Sequence, residues 1–312
     1  MISTMKRHMR KMKRIMAYCV LLVLVGTVLA GCGKKITQPD DTQVQTSEYI
    51  IENTTEATTT EQEVRTFAQE YGVFLGVEEE DIIKRSETYH MIAVDGQGIS
   101  KETVSRLHED GHIVYAYLDI GSLEIYRDYY EQFRDLALGE YENWPDEYWV
   151  DVSDAGWQDY VVHVLAGDFN ERGYDGLFLD NADVYYYYPK EEIYQGLVTI
   201  LQGLRGYDMK LMINGADVFV SRLIGEKKGN LIDSVNQESV FSGIQDYEKD
   251  IFKETDAEDR EYYMDYLDHV FRAGIEVYLL EYTKDPDVVE KIRVYCAEHR
   301  YQYYASPRVA LL

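Results

Sequence analysis

Short apolar runs separated by amphipathic stretches organise the chain from Tyr71 onward. The runs are Tyr71–Gly76 (YGVFLG), Met91–Gly96 (MIAVDG), Ile113–Asp119 (IVYAYLD) and Gly176–Asn181 (GLFLDN). They continue with Lys210–Ala216 (KLMINGA), Leu231–Glu238 (LIDSVNQE), Glu276–Tyr282 (EVYLLEY) and Gln302–Ser306 (QYYAS). Runs without polar alternation suit strands covered on both faces. Between most of them the apolar residues recur at helical spacing, which predicts helices over Lys101–Glu109, Leu123–Leu138, Trp157–Glu171, Lys190–Arg205 and Tyr262–Ala273. Eight strand–helix units in about 250 residues predict an α/β fold, the (β/α)8 TIM barrel. A doubly wound open sheet shares that alternation. Its phosphate-binding signature is missing, because no third glycine follows Gly96-Gln97-Gly98.

The first residues follow another pattern. Lys6, Arg7, Arg10, Lys11, Lys13 and Arg14 precede an apolar stretch from about Ala17 to Ala30, and Leu29-Ala30-Gly31-Cys32 closes it. A basic flank, a short apolar region and small residues before a cut describe a secretory signal. Leu-Ala-Gly-Cys resembles the lipobox of bacterial lipoproteins, which implies a signal peptide over 1–31, lipid on Cys32 and residence on the outer face of a bacterial membrane. Residues 32–63 are rich in Thr, Gln, Glu and Asp and poor in large apolar residues, the composition of a flexible tether. The barrel is then expected over 64–312, held to the membrane through lipid alone.

Charge and cysteine use narrow the partners. The formal net charge is −26, and removing the six basic residues of the signal takes it to −32. Such a surface repels nucleic acid and anionic headgroups and attracts cations, although acidity also serves plain solubility. Of three cysteines, Cys19 leaves with the signal and Cys32 takes lipid, so Cys296 remains without an internal disulfide partner. The fold must therefore rest on its core.

Barrel enzymes carry their chemistry at the C-terminal ends of the strands. Those ends read Asp95, Asp119, Asp180 with Asp183, Asn214, Glu238, Glu281 and Ser306. Polar groups recurring at so many ends suggest one acidic pocket. Like charges gathered there lose solvation and repel unless they pair, and Arg308 and Lys284 are the cations at hand for pairing. No Gly-x-Ser-x-Gly elbow occurs, and the histidines show no zinc-ligand spacing; oxygen ligands for Ca²⁺ or Mg²⁺ are present without an EF-hand loop, and the expectation is no cofactor and no metal. What remains is a carboxylate pair, the equipment of glycoside hydrolysis. All three tryptophans, Trp144, Trp149 and Trp157, lie in the long insertion between the third and fourth runs. They can stack on sugar rings at the barrel mouth or fasten the insertion to the barrel.

The segments Val114–Gly121 (VYAYLDIG), Gly173–Asp183 (GYDGLFLDNAD), Leu211–Asn214 (LMIN), Val235–Ser239 (VNQES) and Tyr303–Pro307 (YYASP) resemble the endo-α-1,4-polygalactosaminidase family, glycoside hydrolase family 114. The resemblance runs from about Tyr71 to the C-terminus. It implies a (β/α)8 fold and hydrolysis of a galactosamine-containing exopolysaccharide, a cationic polymer where it is deacetylated. It places the functional carboxylates at Asp180, the nucleophile, and Glu238. Asp95, Asp119, Asn181, Asp183, Tyr185, Asn214 and Glu281 are the expected substrate contacts, with Asp119 standing where the family's commoner pattern has Ser. Asp175 is expected to hold the turn before its strand. The rival reading is a polysaccharide-binding lipoprotein without turnover, or a hydrolase of another glycan; the presence of both Asp180 and Glu238 favours the enzyme.

Overall fold

The computed structural model describes residues 66–312 apart from 142 and 143. The signal, the tether and Cys32 lie outside the described residues. Eight parallel strands form one sheet in chain order: β1 (Gln69–Phe74), β2 (Tyr89–Asp95), β3 (Ile113–Asp119), β4 (Gly176–Asp180), β5 (Lys210–Asn214), β6 (Ser234–Glu238), β7 (Glu276–Tyr282) and β8 (Gln302–Ser306). The predicted apolar runs thus become the eight strands, with ends shifted by up to three residues.

The sheet curls into a barrel. Tyr71 on β1 stacks edge-on against Tyr278 of β7, and its hydroxyl reaches Asn236 of β6, contacts that a flat sheet does not allow. At the seam, Phe74 of β1 packs on Tyr304 of β8. Tyr117 and Phe178 add a further aromatic contact, and helices cover the outside. Burial of apolar surface on both faces of every strand is the main driving force, at about 25 cal/mol per Å² removed from water.

Local signals set the connections. Ser100 caps helix Lys101–Glu109 by accepting the Thr103 N–H, and Val104 and Leu107 give it a buried face. The helical run that starts at Ala155 ends at Arg172, where Gly173 takes a left-handed conformation with φ of 92°. Asp175 then accepts the Val114 N–H at 2.7 Å and meets His108, pinning the entry of β4 to that of β3. Cys296 is a buried free thiol in helix Pro286–His299.

The insertion after β3 departs from the predicted helix over Leu123–Leu138. It forms a three-stranded antiparallel ribbon of Ser122–Glu124, Glu147–Val150 and Ala137–Glu140, with only Tyr130–Phe133 as an α-helical turn and Arg134–Leu136 as a 3-10 turn. The apolar spacing of Leu123, Phe133 and Leu136 is helical, but pairing with Glu147–Val150 outcompetes a helix that would have to be supported along its whole length. Two tryptophans fasten the ribbon. Trp157 is fully buried and donates its indole N–H to the Ile120 carbonyl, and Trp149 is sandwiched between Tyr141 and Tyr187. Trp144 differs, being 44% exposed at the ribbon tip, where it meets Tyr247. Tyr247 sits in a second hairpin, Ser242–Asp246 with Ile251–Glu254, that follows β6.

Candidate active site

The C-terminal ends of β4, β5 and β6 bring Asp180, Asn214 and Glu238 together. Side chains alternate along a strand, so Phe178 and Asp180, Met212 and Asn214, and Asn236 and Glu238 share the inward face. The Asn214 amide nitrogen donates to Asp180 Oδ1 at 3.0 Å and to Glu238 Oε1 at 2.8 Å. Those two oxygens are therefore no more than about 5.8 Å apart, and about 5 Å at the 120° opening of a planar amide. The residue after each acid, Asn181 (φ 62°) and Ser239 (φ 59°), is left-handed, which turns the chain away sharply and leaves the carboxylates at the mouth. Non-glycine residues in that conformation carry strain, and such strain concentrates at functional sites.

Burial drives the electrostatics. Glu238 is pushed up to about 7 by burial and by the charge of Asp180, while bonds from Asn214 and Tyr282 pull it back. Asp180 is raised by burial as well, but Asn214, the Asn181 N–H and Tyr117 all donate to it and favour the ionised form. Two acids in one pocket thus differ in what surrounds them: Asp180 has more donors, and Glu238 retains its proton toward neutrality.

A second acidic network adjoins the pair. Asp119, opposite Asp180 in the β3–β4 register, accepts from the N–H groups of Gly121 and Ser122 and from the Ser122 hydroxyl. The Asn181 amide nitrogen donates to Asp119 and to Glu147 of the ribbon, and Ser122 also bonds Glu147. Burial, together with the neighbouring carboxylates, raises Asp119 and Glu147 above the ordinary carboxylate range. Gly121 permits this approach, since a Cβ there would lie 1.8 Å from the Asn181 carbonyl oxygen. Beyond the network, Arg127 bonds both Glu124 and Asp95.

The expected contacts divide accordingly. Asp180, Glu238 and Asn214 share bonds at the mouth, and Asp119 and Asn181 lie beside them, occupied by one another and by Ser122. Asp183 accepts the Ala216 N–H at 3.0 Å and holds the turn after β5. Asp95 is engaged by Arg127. Two expectations are corrected. Tyr185 turns outward between helices, where its ring packs on Tyr194 and Phe219 and its hydroxyl accepts from Arg222. Glu281 is fully buried on the outward face of β7 and accepts from the N–H groups of Val240, Phe241 and Ser242 and from the Ser242 hydroxyl, so it anchors the loop after β6. Lys284 reaches the Asp250 carbonyl, and among the described residues Arg127 is the cation that pairs with a strand-end acid, Asp95.

Sequence reasoning missed Glu147, Tyr117, Tyr282 and Arg127. Tyr282 follows Glu281 and carried a readable signal: adjacent strand residues face opposite ways, so only one of the two can point inward. Glu147 carried none, because its place depends on how the ribbon folds back.

Comparison with known proteins agrees with the barrel fold. The glycoside-hydrolase domain of PelA from Pseudomonas aeruginosa superposes with a TM-score of 0.64 at 20% identity, covering 78% of this chain and 96% of that one. Aspergillus fumigatus Ega3, solved in complex with galactosamine, gives 0.61 at 15% identity over 79% and 94%. An α-galactosidase from Thermus thermophilus follows at 0.53 and 12% identity, over 78% of this chain and 59% of that one. At such identities these structures speak to the fold. No curated protein matches the chain in sequence. The family model for glycoside-hydrolase family GH114 matches residues 52–307, which takes in every strand and both carboxylates, and the chain belongs to that family of glycoside hydrolases.

Proposed function

We propose that this protein is an endo-acting, retaining hydrolase of a galactosamine-containing exopolysaccharide, tethered to the outer face of a bacterial membrane by lipid on Cys32. The observation that carries the mechanism is the Asn214 amide nitrogen bonded to Asp180 and Glu238 at once. It holds one oxygen of each acid within about 5.8 Å of the other, which supports the roughly 5–5.5 Å spacing of double displacement over the wider gap that admits water in an inverting enzyme. Asp180, bathed in donors, attacks the anomeric carbon and forms the glycosyl-enzyme. Glu238 gives its proton to the leaving glycosidic oxygen, then takes one from the water that releases the sugar. A pKa of about 7 suits both steps near neutral pH.

Substrate charge is supported by the surroundings of the pair. Burial and mutual repulsion keep protons on part of the cluster Asp119, Glu147, Asp180 and Glu238, and an ammonium group brought among them favours their ionised forms. The Ega3 structure, with galactosamine bound, points to the same class of sugar. The anchor rests on the sequence alone, on Leu29-Ala30-Gly31-Cys32 after an apolar stretch.

The test uses the purified soluble domain on matched deacetylated and N-acetylated galactosamine polymers, with products followed by mass spectrometry. Internal fragments from the deacetylated polymer are expected, with loss of roughly 10²-fold or more in Asp180→Asn and in Glu238→Gln. Near-normal turnover in both variants places the site elsewhere. Equal cleavage of the acetylated polymer overturns selection by charge.

A further inference from the structure

We propose that Tyr71 and Asn236 are positioning residues for this site: the Tyr71 hydroxyl begins a hydrogen-bonded chain across the barrel that fixes which way round the Asn214 amide sits. The proposal rests on the reading of Asp180 and Glu238 as the reacting pair. The chain runs from β1 through β6 to β5. Tyr71 donates its hydroxyl to Asn236 Oδ1 at 3.1 Å, and Asn236 donates its amide nitrogen to Asn214 Oδ1 at 2.7 Å. Asn214 then donates to both carboxylates. All three residues are buried, at 1%, 0% and 7% exposure for Tyr71, Asn236 and Asn214.

An amide side chain has almost the same shape either way round, so its orientation is decided by the polarity of its partners. Ionised Asp180 favours the Asn214 nitrogen on its side, but Glu238 does not reinforce that preference. While Glu238 holds a proton, its O–H can donate to a reversed Asn214 oxygen as readily as its carbonyl oxygen accepts from nitrogen. Asn236 does not decide it either, being reversible in the same way. The chain is polarised a second time at its far end, where Tyr71 has a proton to give and, among the described residues, Asn236 Oδ1 and, at 3.9 Å, the weakly accepting Met212 sulfur to receive it. Burial, with Tyr278, Glu238 and Tyr115 nearby, holds that hydroxyl protonated. With Tyr71 donating, each amide is set in turn, and the Asn214 N–H pair faces the acids. Around Glu238 the other titratable neighbours are Asp180, Tyr71, Tyr141 and Tyr282; around Asp180 they are Asp119, Glu124, Glu147, Glu238, Tyr117, Tyr141 and Tyr282.

Tyr71→Phe keeps the ring and its stack on Tyr278 and removes only the donor. The readout is titration of the side-chain carboxyl ¹³C resonances, with those of Asp180 and Glu238 assigned by their disappearance in Asp180→Asn and Glu238→Gln. Donation from Asn214 favours the ionised forms, so losing its fixed orientation should move both midpoints upward, by about one pH unit for Glu238. Turnover should fall about tenfold through kcat, with KM changed less than twofold. Asn236→Leu supplies a second variant of similar volume that neither accepts from Tyr71 nor donates to Asn214 and adds no charge, and the same upward shifts are expected. Midpoints that coincide with the parent's in a folded variant overturn the proposal, whatever happens to thermal stability. Turnover surviving in Asp180→Asn and Glu238→Gln would instead remove the catalytic reading, and the titration still reports on the chain.

Discussion

Replacing Tyr282 with Phe should make the enzyme relatively better at alkaline pH. The Tyr282 hydroxyl, 4% exposed, donates to Glu238 Oε2 at 3.1 Å. That bond favours the carboxylate and so opposes burial and the Asp180 charge, which together still leave Glu238 at about 7. A hydrogen bond to a charged group contributes about 1.5–3 kcal/mol, and one pH unit corresponds to about 1.4 kcal/mol. Taking the lower figure, Tyr282→Phe moves Glu238 to about 8. The general acid must be protonated, so the alkaline limb of the rate profile moves with it. At pH 8 the parent holds that proton in about one molecule in ten and the variant in about one in two, roughly a fivefold gain in the competent form. The assay is kcat/KM on one polymer from pH 5 to 10 for both proteins, with circular dichroism to check the fold. Titration of the substrate's own amines is common to both curves and cancels in their ratio. An alkaline limb that stays in place, or moves to lower pH, refutes the assignment of Glu238 as the acid.

Three further outcomes follow from the same geometry. Glu238 is raised from 4.5 to about 7, so the folded chain retains a proton that the unfolded chain releases; the associated stability is full below about pH 4.5 and lost as pH rises through 7, up to about 3 kcal/mol. Glu238→Gln should flatten that decline in urea unfolding at pH 4.5 and 8, and an unchanged difference between the two pH values would contradict it. Glu281→Gln sets an amide NH₂ against backbone N–H groups and should lower stability by about 2–4 kcal/mol in thermal unfolding while leaving KM alone; a raised KM at full stability would restore Glu281 as a sugar contact. Cys32→Ala should abolish incorporation of a fatty-acid probe in cells, and equal labelling of variant and parent would end the lipoprotein assignment.

The strands were legible because a strand covered on both faces is apolar along most of its length, a need written locally in every run but Leu231–Glu238, whose strand buries Asn236 and Gln237. Gln302–Ser306, Glu276–Tyr282 and Ile113–Asp119 come out with the bounds the pattern predicts. The candidate pair was legible for a related reason: in a barrel the strand ends converge, so a residue's place along its strand already locates it at the mouth. Which way a side chain faces at that end is another matter. Glu281 and Tyr282 both end β7, and only the register of the closed barrel turns Tyr282 to Glu238 and leaves Glu281 to hold the loop after β6. The ribbon over Ser122–Val150 was opaque for the same cause. Its pairings join residues whose meeting no periodicity records, and they alone bring Glu147 to Asn181. Apolar periodicity reports what each segment must bury, a property of neighbours in sequence. Charge placement, proton affinity and the polarity of the Tyr71–Asn236–Asn214 chain depend on neighbours in space, which come into being only when the sheet closes.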